Sequence, residues 1–258
     1  MSGEGRGAVH RMARAFSGVA GAYQRARPDY PAAVHRWLAE HAGAASGRLV
    51  LDLAAGTGKL TGGLVDHGAR AVAVEPVEGM RRALMAALPD VPVVAGMAEA
   101  IPLGTATVDV VTVAQAFHWF ANDEAVAEIH RVLRAGGRLA VVWNRRDLDD
   151  PLQAGIEAVL APLQGQTPSH TTGTWRVALE AGSGAARFAP DGELQVPWTQ
   201  SLDVEGVVDR VASISYVAAL PAGAGHDVLA EVRRLAEAVV PPLGLPYVAS
   251  VSCYRRRP

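Results

Sequence analysis

Cysteine is almost missing from this sequence: there is one, Cys253. A single thiol cannot form an intrachain disulfide or supply a cysteine metal cluster, and no metal site is read. No apolar run approaches the roughly 18 residues of a membrane-crossing helix. No export signal is read either, because the apolar patch from Ala15 to Ala22 is short, contains Ser17 and Gly18 and lacks a clear cleavage site after it. The expectation is a cytoplasmic protein with no membrane partner. A basic excess is also lacking: 24 Lys and Arg stand against 26 Asp and Glu, a formal net charge of −2. Nucleic-acid binding rests on neutralising many phosphates, so that partner is marked down. The run Arg255-Arg256-Arg257 reads as a solvated tail.

What is present is core-forming material. Half of the 258 residues are hydrophobic and 19% are charged, which suits one large α/β domain or two small ones. From Arg48 onward strand-like and helix-like segments alternate, the pattern of a parallel sheet. The strands read as 48–54, 70–76, 91–97, 108–115 and 137–144. One helix begins at Lys59, a second runs through Met80 and Leu84 to stop at Pro89, and a third carries Ala125, Ile129, Val132 and Leu133 and ends at Gly136-Gly137. The rhythm breaks after Asn144. Two later strands are read, near 193–199 and 246–254, with helices near 203–212 and 227–239 between them. Residues 1–47 form a helical lead-in.

The chemistry gathers at strand ends. "VLDLAAGTGKLT" (50–61) is a buried strand running into a glycine-rich turn and a helix, and glycine lets the backbone approach a ligand closely. A dinucleotide fingerprint wants G-x-G-x-x-G, but Gly56 and Gly58 are followed by Leu60 and Thr61, so the third glycine is absent. A phosphate loop would need G-x-x-x-x-G-K-[ST], which is not there. Asp52 closes the first strand and Glu75 the second. A carboxylate in the second position can accept both hydroxyls of a ribose, while Asp52 can orient the turn and reach toward an ammonium. Amine, ribose and turn together suggest S-adenosylmethionine, although a nicotinamide enzyme stays open on Glu75 alone.

Further along, "GMAEAIPL" (96–103) and "AQAFHWF" (114–120) follow strands three and four, where open α/β sheets bind ligands. With "VAVEP" (72–76) and "RVLRAGGRLAVV" (131–142), these motifs come in order, and over about residues 15–145 the chain resembles the class I S-adenosylmethionine-dependent methyltransferases. "YQRARPDYP" and "QAFHWF" look most similar to the small-molecule branch around trans-aconitate and ubiquinone/menaquinone methyltransferases. The resemblance implies an α/β, Rossmann-like sheet of seven strands, mostly parallel, with helices on both faces and the last strand inserted antiparallel. It implies one methyltransferase domain, with residues 1–47 as lead-in and lid, 48–145 as cofactor core, 146–192 as an insertion shaping the acceptor pocket, and 193–258 as closing strands and helices.

S-adenosyl-L-methionine is the implied cofactor, leaving as S-adenosyl-L-homocysteine. The residues matched to its site are Tyr23, Arg27, Asp52, Ala54, Gly56, Thr57, Gly58, Glu75, Pro76, Met80, Met97, Ala98, Glu99, Gln115 and Ala116. Tyr23 and Arg27 would close over it, Arg27 pairing its carboxylate. Met97 stands where many relatives carry an Asp that accepts from the adenine amino group.

Methyl transfer needs a base only if the acceptor must lose a proton, and His118 is the histidine placed for that; the other reading is that it caps the aromatic group of Phe117, Trp119 and Phe120. Trp143 and Trp175 are candidates both for the pocket and for the core. Amino-directed nucleic-acid methylases of this fold usually carry Asn/Asp-Pro-Pro-Tyr/Phe where this chain has Gln115-Ala116-Phe117-His118. Cytosine-C5 enzymes need a cysteine near the site, and Cys253 falls in the closing strand. A small organic acceptor is therefore expected, methylated on O, N, C or a carboxylate. Alternatives are an S-adenosylmethionine-binding protein that transfers no methyl and a tRNA or protein methyltransferase. Oligomeric state is not readable.

Overall fold

In a computed structural model, residues 27–165, 172–240 and 242–258 are described, and Tyr23 with the rest of residues 1–26 of the proposed lead-in and lid falls outside them. The strands are β1 Leu49–Leu53, β2 Arg70–Val74, β3 Val93–Val94, β4 Val108–Ala114, β5 Leu133–Arg146, β6 Phe188–Leu202 and β7 Leu243–Arg256. They form one seven-stranded sheet in the order β3-β2-β1-β4-β5-β7-β6, mostly parallel with the last strand antiparallel. The expected insertion of the final strand is thus observed, β7 lying between β5 and β6. The helices are α1 Ala32–Trp37, α2 Lys59–Asp66, α3 Glu78–Ala87, α4 Asp123–Val132, α5 Pro151–Gln164, α6 Val177–Glu180, α7 Gly182–Arg187, α8 Val204–Ala212, α9 Ser215–Ala218 and α10 Ala222–Glu237.

Two compact units are distinguished. Unit 1 holds described residues within 27–28, 145–165 and 197–248, and unit 2 holds 29–144, 172–196 and 249–258. In unit 2 the central strands β1 and β4 are apolar along almost their whole length, as strands covered on both faces must be. One face packs Leu51, Leu53, Val111, Val113, Leu139 and Val141 against Val126 and Ile129 of α4, with Phe117, Trp143 and Trp175 in the same core. The other buries Ala71, Ala73, Leu84 and Val91. In unit 1, Leu152, Ile156 and Leu160 of α5 meet Val207 and Val211 of α8, Val232 of α10 and Tyr247 of β7.

Caps set several boundaries. Asn122 accepts from Ala125 N at 2.9 Å to start α4, and Asp150 accepts from Gln153 N at 2.8 Å before Pro151 at the first position of α5. The end of α4 departs from expectation. It stops at Val132 because its last carbonyls are taken from outside: Ala106 N donates to Arg131 O at 2.9 Å and Thr107 N to Val132 O at 2.8 Å. Leu133 already pairs with Val108, and pairing resumes at Val110↔Arg138, so Gly136-Gly137 lie in a bulge of β5 rather than at a helix end. Strand three is also shorter than expected, two residues at the sheet edge.

The basic tail is exposed at Arg255 and Arg257, as expected, but it is tied down. Arg255 pairs with Asp191 at 2.7 Å, a carboxylate shared with Arg138 at 2.6 Å. Arg256 Nε donates to His130 O at 3.0 Å and Arg257 Nε to Phe188 O at 3.1 Å. Cys253 is buried in β7 as expected, where burial pushes its thiol up to about 12.

Candidate cofactor site

The site is built where the chain order of the sheet reverses. β1 is flanked by β2 and β4, with Asp52 opposite Thr112 and Ala73. Such a switch point leaves a crevice at the carboxyl ends of the strands. Ala54 and Gln115 leave neighbouring strands at that edge, and both adopt left-handed backbone with φ of 57°. Non-glycine residues rarely do so and tend to cluster at functional sites. Each is held by the adjacent strand: Ala54 N donates to Val74 O at 2.8 Å and Gln115 N to Val142 O at 2.9 Å.

The glycine turn and the second acid are one structure. Gly56 N donates to Glu75 Oε2 at 2.9 Å, and Val77 N donates to Oε1 at 2.8 Å. Glu75 is buried, and burial holds its carboxyl above the usual range against the pull of those two N–H groups and of Arg81. Arg81 Nη1 in turn grips the carbonyls of Glu75 at 2.9 Å and Pro76 at 2.7 Å. Gly58, with φ of 85°, caps α2, and a Cβ there would lie 2.8 Å from Leu84 Cγ of α3. Glycine is thus required both by conformation and by packing. Thr57 beside it is buried. Lys59, the first residue of α2, reaches Asp29 at 2.6 Å.

Asp52 is fully enclosed. Thr61 Oγ1 of α2 donates to its Oδ2 at 2.6 Å and Thr112 Oγ1 of β4 to its Oδ1 at 3.0 Å. Burial nevertheless dominates and raises its carboxyl from 3.8 to about 6. An acid whose folded value is raised stabilises the fold fully below its unfolded value, and that contribution is lost as pH rises through the folded value. The expected consequence is a loss of about 3 kcal/mol between pH 4 and about 6, which Asp52→Asn removes. Denaturant midpoints of both proteins across that range test it: the slopes should differ, and parallel slopes would contradict the assignment.

The segment after β3 is anchored to α4 and its cap. Met97 bridges to Ala100, Ala98 sits in the core, and Glu99 Oε1 accepts from Asn122 Nδ2 at 3.1 Å. Glu128 and Arg131 fix the next residues, Glu128 accepting from Ile101 N and Arg131 donating to the carbonyls of Ile101 and Leu103. Met80 is buried on α3. After β4, Ala116 precedes a short 3-10 turn, Phe117–Trp119. His118 on that turn lies 4.8 Å from Trp119 and 5.4 Å from Trp143, ring to ring. Trp143 meets Trp175 at 5.5 Å, and both are almost fully buried, so their side chains are core members. Arg27 belongs to unit 1, where its Nη2 donates to Ser213 O at 2.6 Å. No group of three or more His, Cys, Asp or Glu suited to a metal occurs among the described residues.

Sequence reading missed three partners. Thr112 is the one hydroxyl in the apolar run of β4, a signal that was available. Thr61 and the Gly56–Glu75 bond carry no sequence mark, because they depend on the register of β1 with its neighbours.

Comparison with known proteins agrees with this architecture. Residues 51–141 match a family described as a methyltransferase domain. An uncharacterised methyltransferase of Mycobacterium tuberculosis is 41% identical over 242 residues, covering 92% of this chain and 93% of its own. The ubiquinone/menaquinone biosynthesis C-methyltransferase of Cronobacter sakazakii is 27% identical over 199 residues, 70% of this chain and 78% of its own. Among solved structures, a protein of Anaeromyxobacter dehalogenans provisionally classed as a type II methyltransferase superposes with a TM-score of 0.69 at 27% identity, covering 89% of this chain and 97% of that one.

Proposed function

This chain belongs to the class I S-adenosylmethionine-dependent methyltransferases, and from that premise we propose that it methylates a small organic acceptor with the cofactor seated on the Ala54–Gly58 turn. The observation that carries the reading is the Gly56 N–H bond to Glu75. It ties the turn to the one acid that can face a ribose.

The residues fit the cofactor. Each oxygen of Glu75 accepts one backbone N–H and keeps lone-pair capacity for a ribose hydroxyl. A Cβ on Gly56 would meet no atom of the described residues within 4 Å, which leaves room beside the turn for a methionine chain. Asp52 stiffens the turn through Thr61 and Thr112 and supplies negative charge beneath an ammonium. Pro76 and Met80 follow Glu75, Met97, Ala98 and Glu99 form the adenine side, and Gln115 with Ala116 close the edge at β4. Bound S-adenosylmethionine supplies an electrophilic methyl on a sulfonium.

The protein's task is then to hold an acceptor atom in line, ~3–3.5 Å from that methyl, where positioning alone removes much of the barrier. His118, in its aromatic setting, is assigned to take the proton of an acceptor that must lose one. The relative that serves ubiquinone/menaquinone biosynthesis supports a small acceptor. Incubation with methyl-labelled S-adenosylmethionine, first with quinones and organic acids and then with RNA and protein, tests this. Label is expected in the small-molecule extract; label in the RNA or protein fraction alone would overturn the acceptor class.

A further inference from the structure

Unit 1 buries a guanidinium that forms no ion pair among the described residues. Arg210 of α8 is only 8% exposed. Its Nε donates to Tyr247 Oη at 3.2 Å, and its guanidinium carbon stands 6.0 Å from the Tyr247 ring centroid. Its Nη1 is buried and has no hydrogen-bond partner. Among the described residues of this unit the ion pairs join Arg146 to Glu157, Arg233 to Glu205 and Arg234 to Glu231, and none includes Arg210.

The surroundings make the imbalance sharper. The Tyr216 hydroxyl is hydrogen-bonded to Arg146 and feels the charges of Arg146, Glu157 and Arg210. Glu157 is already engaged by Arg146 in an ion pair. Around it are Val207, Val211 and Ile214 of the unit's core, and Trp198 stacks on Tyr247 at 5.6 Å. An unpaired charge in such a setting is strongly disfavoured. A guanidinium also offers a planar fork matched to carboxylate and phosphate oxygens.

We propose that Arg210 anchors an anion site in unit 1, taking the carboxylate or phosphate of a small organic ligand other than the cofactor. Two sources share that chemistry: the methyl acceptor itself and a separate regulatory anion. Only the first rests on the transfer activity proposed above, since the anion site can be read without cofactor.

The test is thermal melting of the full chain with citrate, succinate or inorganic phosphate against chloride at matched ionic strength. Melting should rise saturably with at least one probe, because a ligand that binds only the folded state stabilises it. Arg210→Met, which removes the uncompensated charge, should melt no lower than the wild type without probe and ignore the probe. Arg210→Lys keeps the charge but loses the fork, and should weaken probe binding about tenfold. A marked fall in melting for Arg210→Met without probe, together with no probe response in wild type or Arg210→Lys, would show a purely structural guanidinium and overturn the proposal. A probe response that survives in Arg210→Met, or a probe that competes with S-adenosylhomocysteine, would also overturn it.

Assay with labelled cofactor then separates the sources. If Arg210→Met abolishes transfer to an acidic acceptor while S-adenosylhomocysteine affinity is kept, the ligand is the acceptor. If transfer persists and only the probe response is lost, the anion is regulatory. Failure of S-adenosylhomocysteine to bind wild type would sink the cofactor reading and leave the probe result standing.

Discussion

Glu75→Ala lowers affinity for S-adenosylmethionine by about 100-fold. The size follows from what the carboxylate holds. It accepts from Gly56 N and Val77 N, so its loss leaves two backbone donors unpaired beside the turn and removes the ribose acceptor. Hydrogen bonds to a charged group are worth about 1.5–3 kcal/mol each, and about 2.7 kcal/mol already corresponds to 100-fold. Glu75→Gln should fall between, because an amide opposes one of the two N–H groups with its own donor. Calorimetric titration measures both, with a melting curve to confirm folding. A dissociation constant within about threefold of wild type in Glu75→Ala would remove Glu75 from the site.

His118→Gln lowers kcat by about 100-fold, the lower end of what a positioned base contributes, and leaves cofactor affinity unchanged. His118 stands on a 3-10 turn packed by Trp119 and Trp143, so glutamine also tests packing. His118→Phe keeps the aromatic contact and still lacks a base. Both variants should lose kcat and the acidic limb of its pH profile together. Full turnover in His118→Phe with loss in His118→Gln would mean that the ring serves packing alone and that the acceptor needs no base.

The parts of the fold legible in the sequence are those governed by local rules. α2 begins at Lys59 as expected because Gly58 is a glycine-only position, constrained by its φ of 85° and by Leu84. β1 and β4 were legible as continuous apolar runs, and β7 as an alternating one, its side chains alternately buried from Leu243 to Ser250 and all buried from Val251 to Tyr254. The end of α4 was not legible, because the residues that take its last carbonyls lie in the loop before β4, more than 20 residues earlier. The tethers of the triple-arginine tail were not legible for a related reason: Asp191, His130 and Phe188 are far from it in sequence and meet it only in the folded chain.

At the site, the acids and glycines could be named from spacing at strand ends. Which donors they engage could not. The two threonines on Asp52 come from α2 and β4, and nothing in the local sequence marks Arg210 as buried. Long-range register decides all three.

Calorimetric titration of the wild-type protein with S-adenosylmethionine, S-adenosylhomocysteine and NAD, side by side, tests the cofactor assignment most directly. The site built on Gly56 and Glu75 predicts saturable one-to-one binding of the first two and none of NAD. Binding of NAD alone, or of none of the three, would contradict it.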